Sequence, residues 1–136
     1  MCWLLAAFLK LFFCRLQLEG LDNVPKTGGV VLACNHSLGA DYVVLGYSCP
    51  RQVYYMAKSE AFTINPWLTR LLDNLGTFPI RRGERDTSAI DSAVEQAQMG
   101  RVVGMFPEGT RSRTGALQRA RSGAVRIAME ADVPVV

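Results

Sequence analysis

Five short apolar segments that alternate with helical patterns constrain the fold more than any other feature of this sequence. The helical patterns begin at Asp41 and cover Asn65–Leu75, Asp86–Met99 and Leu117–Ala131. This alternation predicts an α/β layer fold, a sheet flanked by helices, in which loops at the strand ends form the functional site. The strand candidates are Val30–Cys34, Gln52–Ala57, Gly76–Gly83, Arg101–Phe106 and Val133–Val136.

Composition indicates one globular domain. The chain has 136 residues, of which 49% are hydrophobic and 20% charged, and this length is sufficient for a buried core. The four cysteines lie in apolar surroundings and include no C-x-x-C pair. We therefore expect reduced, buried thiols in a reducing compartment, and neither a disulfide framework nor a zinc site.

The N-terminal segment, Met1–Leu18, is mostly apolar but is interrupted by Lys10 and Arg15. The uninterrupted apolar run is too short to span a bilayer, which takes about 20 residues. We predict an amphipathic helix lying in the membrane interface, with an ordinary core-packing helix as the alternative. The predicted organisation is thus a membrane-associated helix over residues 1–20 and an α/β domain over residues 29–136.

Arginine dominates the positive charge of the chain. Six arginines and a single acid, Glu108, occur between Arg101 and Arg126. Guanidinium groups bind phosphate well because two of their N–H groups can donate to it at once. A solvated basic face is the alternative explanation. We expect no nucleic-acid partner, because the sequence contains no recognisable nucleic-acid-binding module and no stacking aromatics interleaved with basic residues.

His36 is the only histidine in the chain, and it follows a predicted strand where the loop begins. Gly39 would let this loop fold back and bring the Asp41 carboxylate to one ring nitrogen, leaving the other as a base. The sequence contains no G-x-S-x-G motif that would mark a nucleophile. We therefore expect direct activation of a substrate hydroxyl or of water. In the alternative interpretation, Asp41 is only the N-cap of the next helix.

A second loop, Pro107–Arg113, follows the strand that ends at Phe106. Gly109 permits close approach of the backbone to a ligand, and Arg111 can bind a phosphate. Glu108 is a lone acid in basic surroundings. These features make the loop the second candidate part of a functional site.

Four sequence blocks, NHSLGAD, GTFPIRRG, FPEGTRSR and VPVV, occur in this order from about Gly29 onward. They resemble the successive blocks of the glycerolipid acyltransferase family, most closely those of bacterial 1-acyl-sn-glycerol-3-phosphate acyltransferases. FPEGTR at this position is the most specific of the four. The resemblance implies a glycerolipid acyltransferase-like sheet flanked by helices.

The resemblance also implies a role for individual residues. His36 would be the general base that takes the proton from the glycerol hydroxyl, and Asp41 would orient it. The remaining matched positions would bind the substrates: Arg81 the phosphate of the acyl acceptor, and Glu108, Gly109, Thr110 and Arg111 the acceptor. Pro134 would serve in acyl-donor binding or catalysis. Lys58 is a looser match to a basic substrate-binding position between the first two blocks.

The implied reaction moves a fatty acyl group from an acyl thioester, acyl-CoA or acyl carrier protein, to the free hydroxyl of 1-acyl-sn-glycerol 3-phosphate (lysophosphatidate). No metal or other cofactor is expected, and the enzyme would lie on the bilayer at its cytoplasmic face. Glycerol 3-phosphate, another lysophospholipid or an amino-lipid is an alternative acceptor. We expect the α/β domain to be truncated at its C-terminus, because family members commonly continue well past the fourth block. An inactive, truncated membrane-binding fragment is therefore a further alternative.

Overall fold

Four parallel strands form the sheet in the computed structural model, which describes residues 17–37, 40–80 and 87–136. The spatial order of the strands is β1-β4-β2-β3, and Val135 bridges Val31 on the other side of β1. The predicted α/β fold with a sheet between helices is thus confirmed. The strands are β1 (Val30–Ala33), β2 (Val53–Lys58), β3 (Thr77–Ile80) and β4 (Val102–Met105).

Among the described residues, four helices connect and flank these strands. The helix α2 begins at Pro66, a residue suited to a first helical turn, and the side chain of Asn65 accepts a hydrogen bond from the Leu68 amide at 2.7 Å. A short 3-10 helix, Ser59–Phe62, links β2 to α2. The four helices are α1 (Asp41–Ser48), α2 (Pro66–Asn74), α3 (Thr87–Gln98) and α4 (Gly123–Ala131).

Both faces of the sheet are buried. Successive strand residues point to opposite faces, so Val30 and Val102 lie in one apolar cluster and Val31 and Val103 in the other. Helix α1 covers the first cluster through Leu45, and α3 and α4 cover the second. Each of the four valines is fully buried, which stabilises the fold by roughly 1.5 to 3 kcal/mol per side chain.

Strand β3 forms one edge of the sheet, as the proline within it predicts. The amide of Tyr55 donates to the carbonyl of Gly76 at 2.9 Å, which sets the alternation along β3. Phe78 and Ile80 therefore turn their main-chain groups towards β2, and Pro79 occupies a position that faces away from the sheet. Pro79 is exposed and has no N–H, so it costs the sheet no hydrogen bond.

The last helix differs from its predicted extent of Leu117–Ala131, because α4 begins only at Gly123. The amides of Gln118 and Arg121 bond instead to the Glu108 carboxylate and the Pro107 carbonyl, which keeps this segment in an irregular conformation. Helical spacing over this range predicts an inward face of Ala120, Ala124, Val125 and Ala128. Ala124 and Ala128 are buried as predicted, but the prediction is wrong for Ala120 and Val125, which are exposed. Ile127, fully buried, is the central core residue of α4.

Arg51 joins three chain segments at the edge of the sheet where the strands begin. Its guanidinium donates to the carbonyls of Pro25 and Gly28, both at 2.8 Å, and to the carbonyl of Gly100 at 2.7 Å. These carbonyls precede β1 and β4, so one side chain fixes the entry of both strands. The N-terminal ends of the strands, where Arg51 lies, are opposite to the loops that follow the C-terminal ends of the strands.

The predicted amphipathic helix at the N-terminus falls mainly on residues 1–16, outside the described residues, and stays a prediction. Within the ranges that the structure describes, every helix is too short or too polar to cross a membrane.

Candidate active site

The two candidate loops leave neighbouring strands at the same edge of the sheet. Strands β1 and β4 pair directly, and the amide of Cys34, just after β1, donates to the carbonyl of Met105 at 3.0 Å. Because both strands run in the same direction, the residues after them emerge side by side. The fold therefore brings the His36 loop into contact with the Pro107–Arg113 loop.

His36 and Asp41 form a hydrogen-bonded pair, with 2.7 Å between Nδ1 and Oδ2. The same carboxylate oxygen accepts the main-chain N–H of Ser37 at 2.8 Å. Asp41 is the first residue of α1, but Ala40 occupies the N-cap position, so Asp41 is not the N-cap residue that the alternative interpretation requires. Gly39, expected to shape this turn, lies outside the described residues.

This contact determines where the lone pair of the neutral His36 imidazole lies. A carboxylate accepts a hydrogen bond, so the proton resides on Nδ1 and the lone pair on Nε2. The His36 side chain is 20% exposed, which leaves it accessible at the surface of the site. The pair therefore has the arrangement of a general base with a carboxylate that fixes its tautomer.

The imidazole is also supported from one face. The ring of Phe106 stacks on it with 4.3 Å between the ring centroids and 23° between the planes. Phe106 directly follows β4, so this contact comes from the second loop. Asp41 and Phe106 together restrict both the rotation and the tilt of the imidazole.

Glu108 is buried, with 7% of its surface exposed. Its Oε1 accepts the main-chain N–H of His36 at 3.0 Å, and its Oε2 accepts the main-chain N–H of Gln118 at 3.2 Å. The main-chain carbonyl of His36 in turn accepts the N–H of Ser112 at 2.7 Å. The second loop thus holds the peptide groups on both sides of His36.

The three residues that follow Glu108 in the second loop face solvent. Gly109, Thr110 and Arg111 are exposed, and Gly109 adopts a φ of +73°, which favours glycine. The guanidinium of Arg121 packs over Gly109, since a Cβ atom there would lie 3.3 Å from the arginine Nε. The side chain of Gln118 donates to the carbonyl of Thr110 at 3.3 Å. An exposed loop lined by arginines suits a phosphate ligand.

The three remaining predicted site residues lie in different places. Lys58 ends β2 at the same edge of the sheet as the two loops. Arg81 lies outside the described residues, directly after β3. The main-chain carbonyl of Pro134 accepts the N–H of Val31, near the start of β1, at 3.0 Å. Val31 precedes His36 by five residues, which span roughly 15 Å in an extended chain. The structure does not bring Pro134 to the histidine.

Cys34 lies next to the pair but in an environment unsuited to a nucleophile. Burial raises the pKa of its thiol, and the negative charges of Asp41 and Glu108 raise that pKa further. The thiol therefore stays protonated near neutral pH. Within the described residues, no group of three or more histidine, cysteine or acidic side chains is placed to hold a metal ion.

Three contributors to the site lie outside the two loops predicted from the sequence: Phe106, Gln118 and Arg121. Ser112 lies within the second loop, but its contact with His36 was not predicted. Ser112 and Gln118 bond to the site through main-chain N–H groups, for which no residue type is diagnostic. Phe106 could have been inferred, because it directly precedes the second loop. Arg121 was assigned to a helix that begins later in the structure.

Comparison with known proteins gives consistent matches. A family model described as Acyltransferase matches residues 15–136. A 1-acyl-sn-glycerol-3-phosphate acyltransferase from Bacillus subtilis is 38% identical over 116 residues, which are 85% of this chain and 57% of that protein. A protein of the same name from Borreliella burgdorferi is 27% identical over 124 residues, 90% of this chain and 49% of that protein.

The fold has a similar solved structure. The crystal structure of the 1-acyl-sn-glycerophosphate (LPA) acyltransferase PlsC from Thermotoga maritima matches with a TM-score of 0.75 at 26% identity. The match covers 96% of this chain and 52% of that chain. The chain therefore spans about half the length of the relatives that it matches.

Proposed function

This chain belongs to the Acyltransferase family, and from that membership we propose that it transfers a fatty acyl group from an acyl thioester to lysophosphatidate. The product is phosphatidic acid, an intermediate of phospholipid biosynthesis. The observation that carries the proposal is the 2.7 Å contact between His36 and Asp41 beside the exposed, arginine-lined loop. The names of the relatives from Bacillus subtilis and Borreliella burgdorferi support lysophosphatidate as the acceptor.

His36 is the base in the proposed reaction. Nε2 takes the proton of the acceptor hydroxyl as its oxygen bonds to the thioester carbonyl carbon. The tetrahedral intermediate then collapses, the carbon–sulfur bond breaks, and the imidazolium returns the proton to the leaving thiolate. Asp41 stabilises the imidazolium in between. These steps balance without a cofactor, and a thioester is activated enough to need no acyl-enzyme.

The exposed second loop binds the acceptor phosphate in this proposal. Arg111 supplies a guanidinium, and Gly109 and Thr110 let the phosphate approach the main chain. Lys58, the last residue of β2, and Arg81, which follows β3 in the sequence, add positive charge in this proposal. Arg121, which packs over the loop, adds a further guanidinium.

The acyl donor is acyl-CoA or acyl carrier protein, and Pro134 contributes to its binding in this proposal. Both the acceptor and the acyl chain are lipids, so the enzyme works at a bilayer, on the cytoplasmic face where the thioesters are made. Ile64 and Trp67, exposed by 67% and 71% after β2, support contact with the membrane interface. The amphipathic segment at the N-terminus would anchor the chain there.

Acceptor-dependent thiol release tests the proposal. The full chain is mixed with vesicles, an acyl-CoA or acyl carrier protein thioester, and one acceptor from a panel of lysophosphatidate, glycerol 3-phosphate, another lysophospholipid and an amino-lipid. We expect the fastest thiol release with lysophosphatidate. A different preferred acceptor would reassign the substrate, and vesicle binding without thiol release would contradict the enzymatic function.

The His36→Ala variant tests the role of the base. General-base catalysis contributes on the order of 100-fold to 10,000-fold to a rate, so kcat should fall by at least about 100-fold. The side chain is partly exposed and lies in a loop, so the variant should fold, which circular dichroism checks. A variant that retains most of the wild-type rate would exclude His36 as the base.

A further inference from the structure

The carboxylate of Glu108 points into the protein and not towards the solvent where an acceptor would arrive. The residue is 7% exposed, whereas Gly109, Thr110 and Arg111 directly after it are all exposed. The loop therefore presents one group of residues to solvent and turns its single acid inward.

Both oxygens of this carboxylate already hold main-chain N–H groups. Oε1 accepts from His36 at 3.0 Å and Oε2 from Gln118 at 3.2 Å. Hydrogen bonds to an ionised acceptor are stronger than neutral ones, so these two contacts are expensive to exchange for a substrate. An acceptor that bonded to Glu108 would have to displace one of them.

Charge argues against a direct contact with the acceptor as well. Lysophosphatidate carries an anionic phosphate, and a carboxylate in contact with it would repel it, because like charges at short distance raise the free energy of the complex. Binding of the phosphate therefore favours the observed arrangement, in which the Glu108 carboxylate points inward, away from the exposed residues of the loop.

The contacts of Glu108 lead to the base. His36 is held at its amide by Glu108, at its carbonyl by the Ser112 amide (2.7 Å), at Nδ1 by Asp41, and on its ring face by Phe106. Glu108 is the only side chain of this set that bonds the main chain of His36. It also ties the returning segment, through Gln118, to the same point.

We propose that Glu108 is a positioning residue, whose carboxylate fixes the main chain of His36 and thereby the alignment of the base, and not a ligand of the acyl acceptor. This inference rests on the proposed function and assigns Glu108 a different role from the one that the family resemblance implies. Misplacement of a reacting group by about 1 Å can cost on the order of 100-fold in rate, so the fixation affects kcat and leaves acceptor affinity unchanged.

The Glu108→Gln variant tests this in the full chain. An amide of the same shape keeps one acceptor oxygen but turns an NH2 group towards the other N–H donor. We expect amide hydrogen exchange at His36 and Gln118 to accelerate by at least about 10-fold, and kcat to fall by roughly 10-fold to 100-fold. The KM for lysophosphatidate should stay within about two-fold of the wild type, because a positioning residue does not touch the acceptor.

Three further variants complete the test. Glu95→Gln is the control, because it makes the same substitution on the exposed face of α3. It should change neither amide hydrogen exchange at His36 and Gln118 nor kcat. Glu108→Asp keeps the charge but has a shorter side chain, so its carboxylate cannot reach both main-chain N–H groups. This variant takes the place of Glu108→Gln if the latter does not fold, and it should show the same fall in kcat at unchanged KM. Arg111→Ala should raise KM without altering exchange at His36.

The outcomes separate this inference from the proposed function. Absence of acyl transfer in the wild type would overturn the function, while exchange at His36 would still test the Glu108 contact. A raised KM in Glu108→Gln, with unchanged kcat and unchanged exchange, would overturn the positioning role and restore Glu108 as an acceptor ligand.

Discussion

Replacement of Asp41 by Asn removes a charge from the site and leaves its shape. One oxygen, Oδ2, accepts both the His36 Nδ1–H at 2.7 Å and the Ser37 N–H at 2.8 Å. A single amide oxygen can accept the same two donors. We therefore expect Asp41→Asn to fold and to keep the orientation of the imidazole.

The lost charge should lower kcat by roughly 100-fold to 1,000-fold. A hydrogen bond to a charged group contributes about 1.5 to 3 kcal/mol against about 0.5 to 1.5 for a neutral one, so the bond to the imidazole, the one that acts on the base, loses about 1 kcal/mol. The attraction between the carboxylate and the imidazolium formed in the transition state adds about 2 to 3 kcal/mol. Two unit charges 4 Å apart near a protein surface attract each other by roughly 4 kcal/mol, and the value is lower here because the imidazolium charge is spread over its ring. The total of about 3 to 4 kcal/mol corresponds to this range at 1.4 kcal/mol per tenfold.

Steady-state thiol release with saturating acceptor measures this effect. The KM for lysophosphatidate should change little, since Asp41 interacts with the base and not with the acceptor. Chemical denaturation should show a free energy of unfolding within about 2 kcal/mol of the wild type, since two hydrogen bonds to Oδ2 are weakened by about 1 kcal/mol each. A variant that keeps more than about a third of the wild-type kcat would refute the role of Asp41 as the partner of the base.

Three further substitutions test other parts of the structure. Arg121→Ala should raise the KM for lysophosphatidate several-fold, because its guanidinium packs over Gly109, whereas Arg119→Ala, an exposed arginine nearby, should leave KM unchanged; equal effects would remove Arg121 from the phosphate site. Arg51→Ala should lower the free energy of unfolding by about 2 to 4 kcal/mol, because three carbonyls lose a charged donor. The kcat should change little, because the candidate site lies at the opposite end of the strands. Denaturant titration measures the loss of stability, and an unchanged midpoint would contradict the prediction. Cys34→Ser should keep kcat within about three-fold, and alkylation of Cys34 should accelerate only above the ordinary pH range of thiol ionisation because its pKa is raised; fast alkylation at neutral pH would contradict that direction.

The sequence predicts the elements of this fold well, because each has a clear period. Alternation of apolar strands with amphipathic helices predicts the layer architecture. The predicted bounds of β1 and α3 differ from the observed ones by no more than one residue at either end. Adjacency of the two loops depends on strand order, however. Nothing in the sequence pattern places β4 between β1 and β2, and only the structure shows that pairing.

The candidate site was predictable where side chains carry the chemistry and not where the main chain does. His36, Asp41 and the second loop were identified from residue type and spacing. The bonds from Ser112 and Gln118 use amide groups that every residue except proline possesses, so no pattern marks them. The bond from Gln118 also explains why the helix predicted from Leu117 begins only at Gly123. The Gln118 N–H bonds to the buried Glu108 carboxylate, and this long-range contact outweighs the helical preference of the local sequence.

The proline in β3 bears on how copies of this protein meet in solution. An outer strand normally offers a row of free amides and carbonyls on which a second sheet can grow. Here the outward-facing position Pro79 has no amide to offer, so a strand arriving from another molecule would find a missing rung in its ladder. Self-association by sheet extension is thereby disfavoured on this side of the molecule.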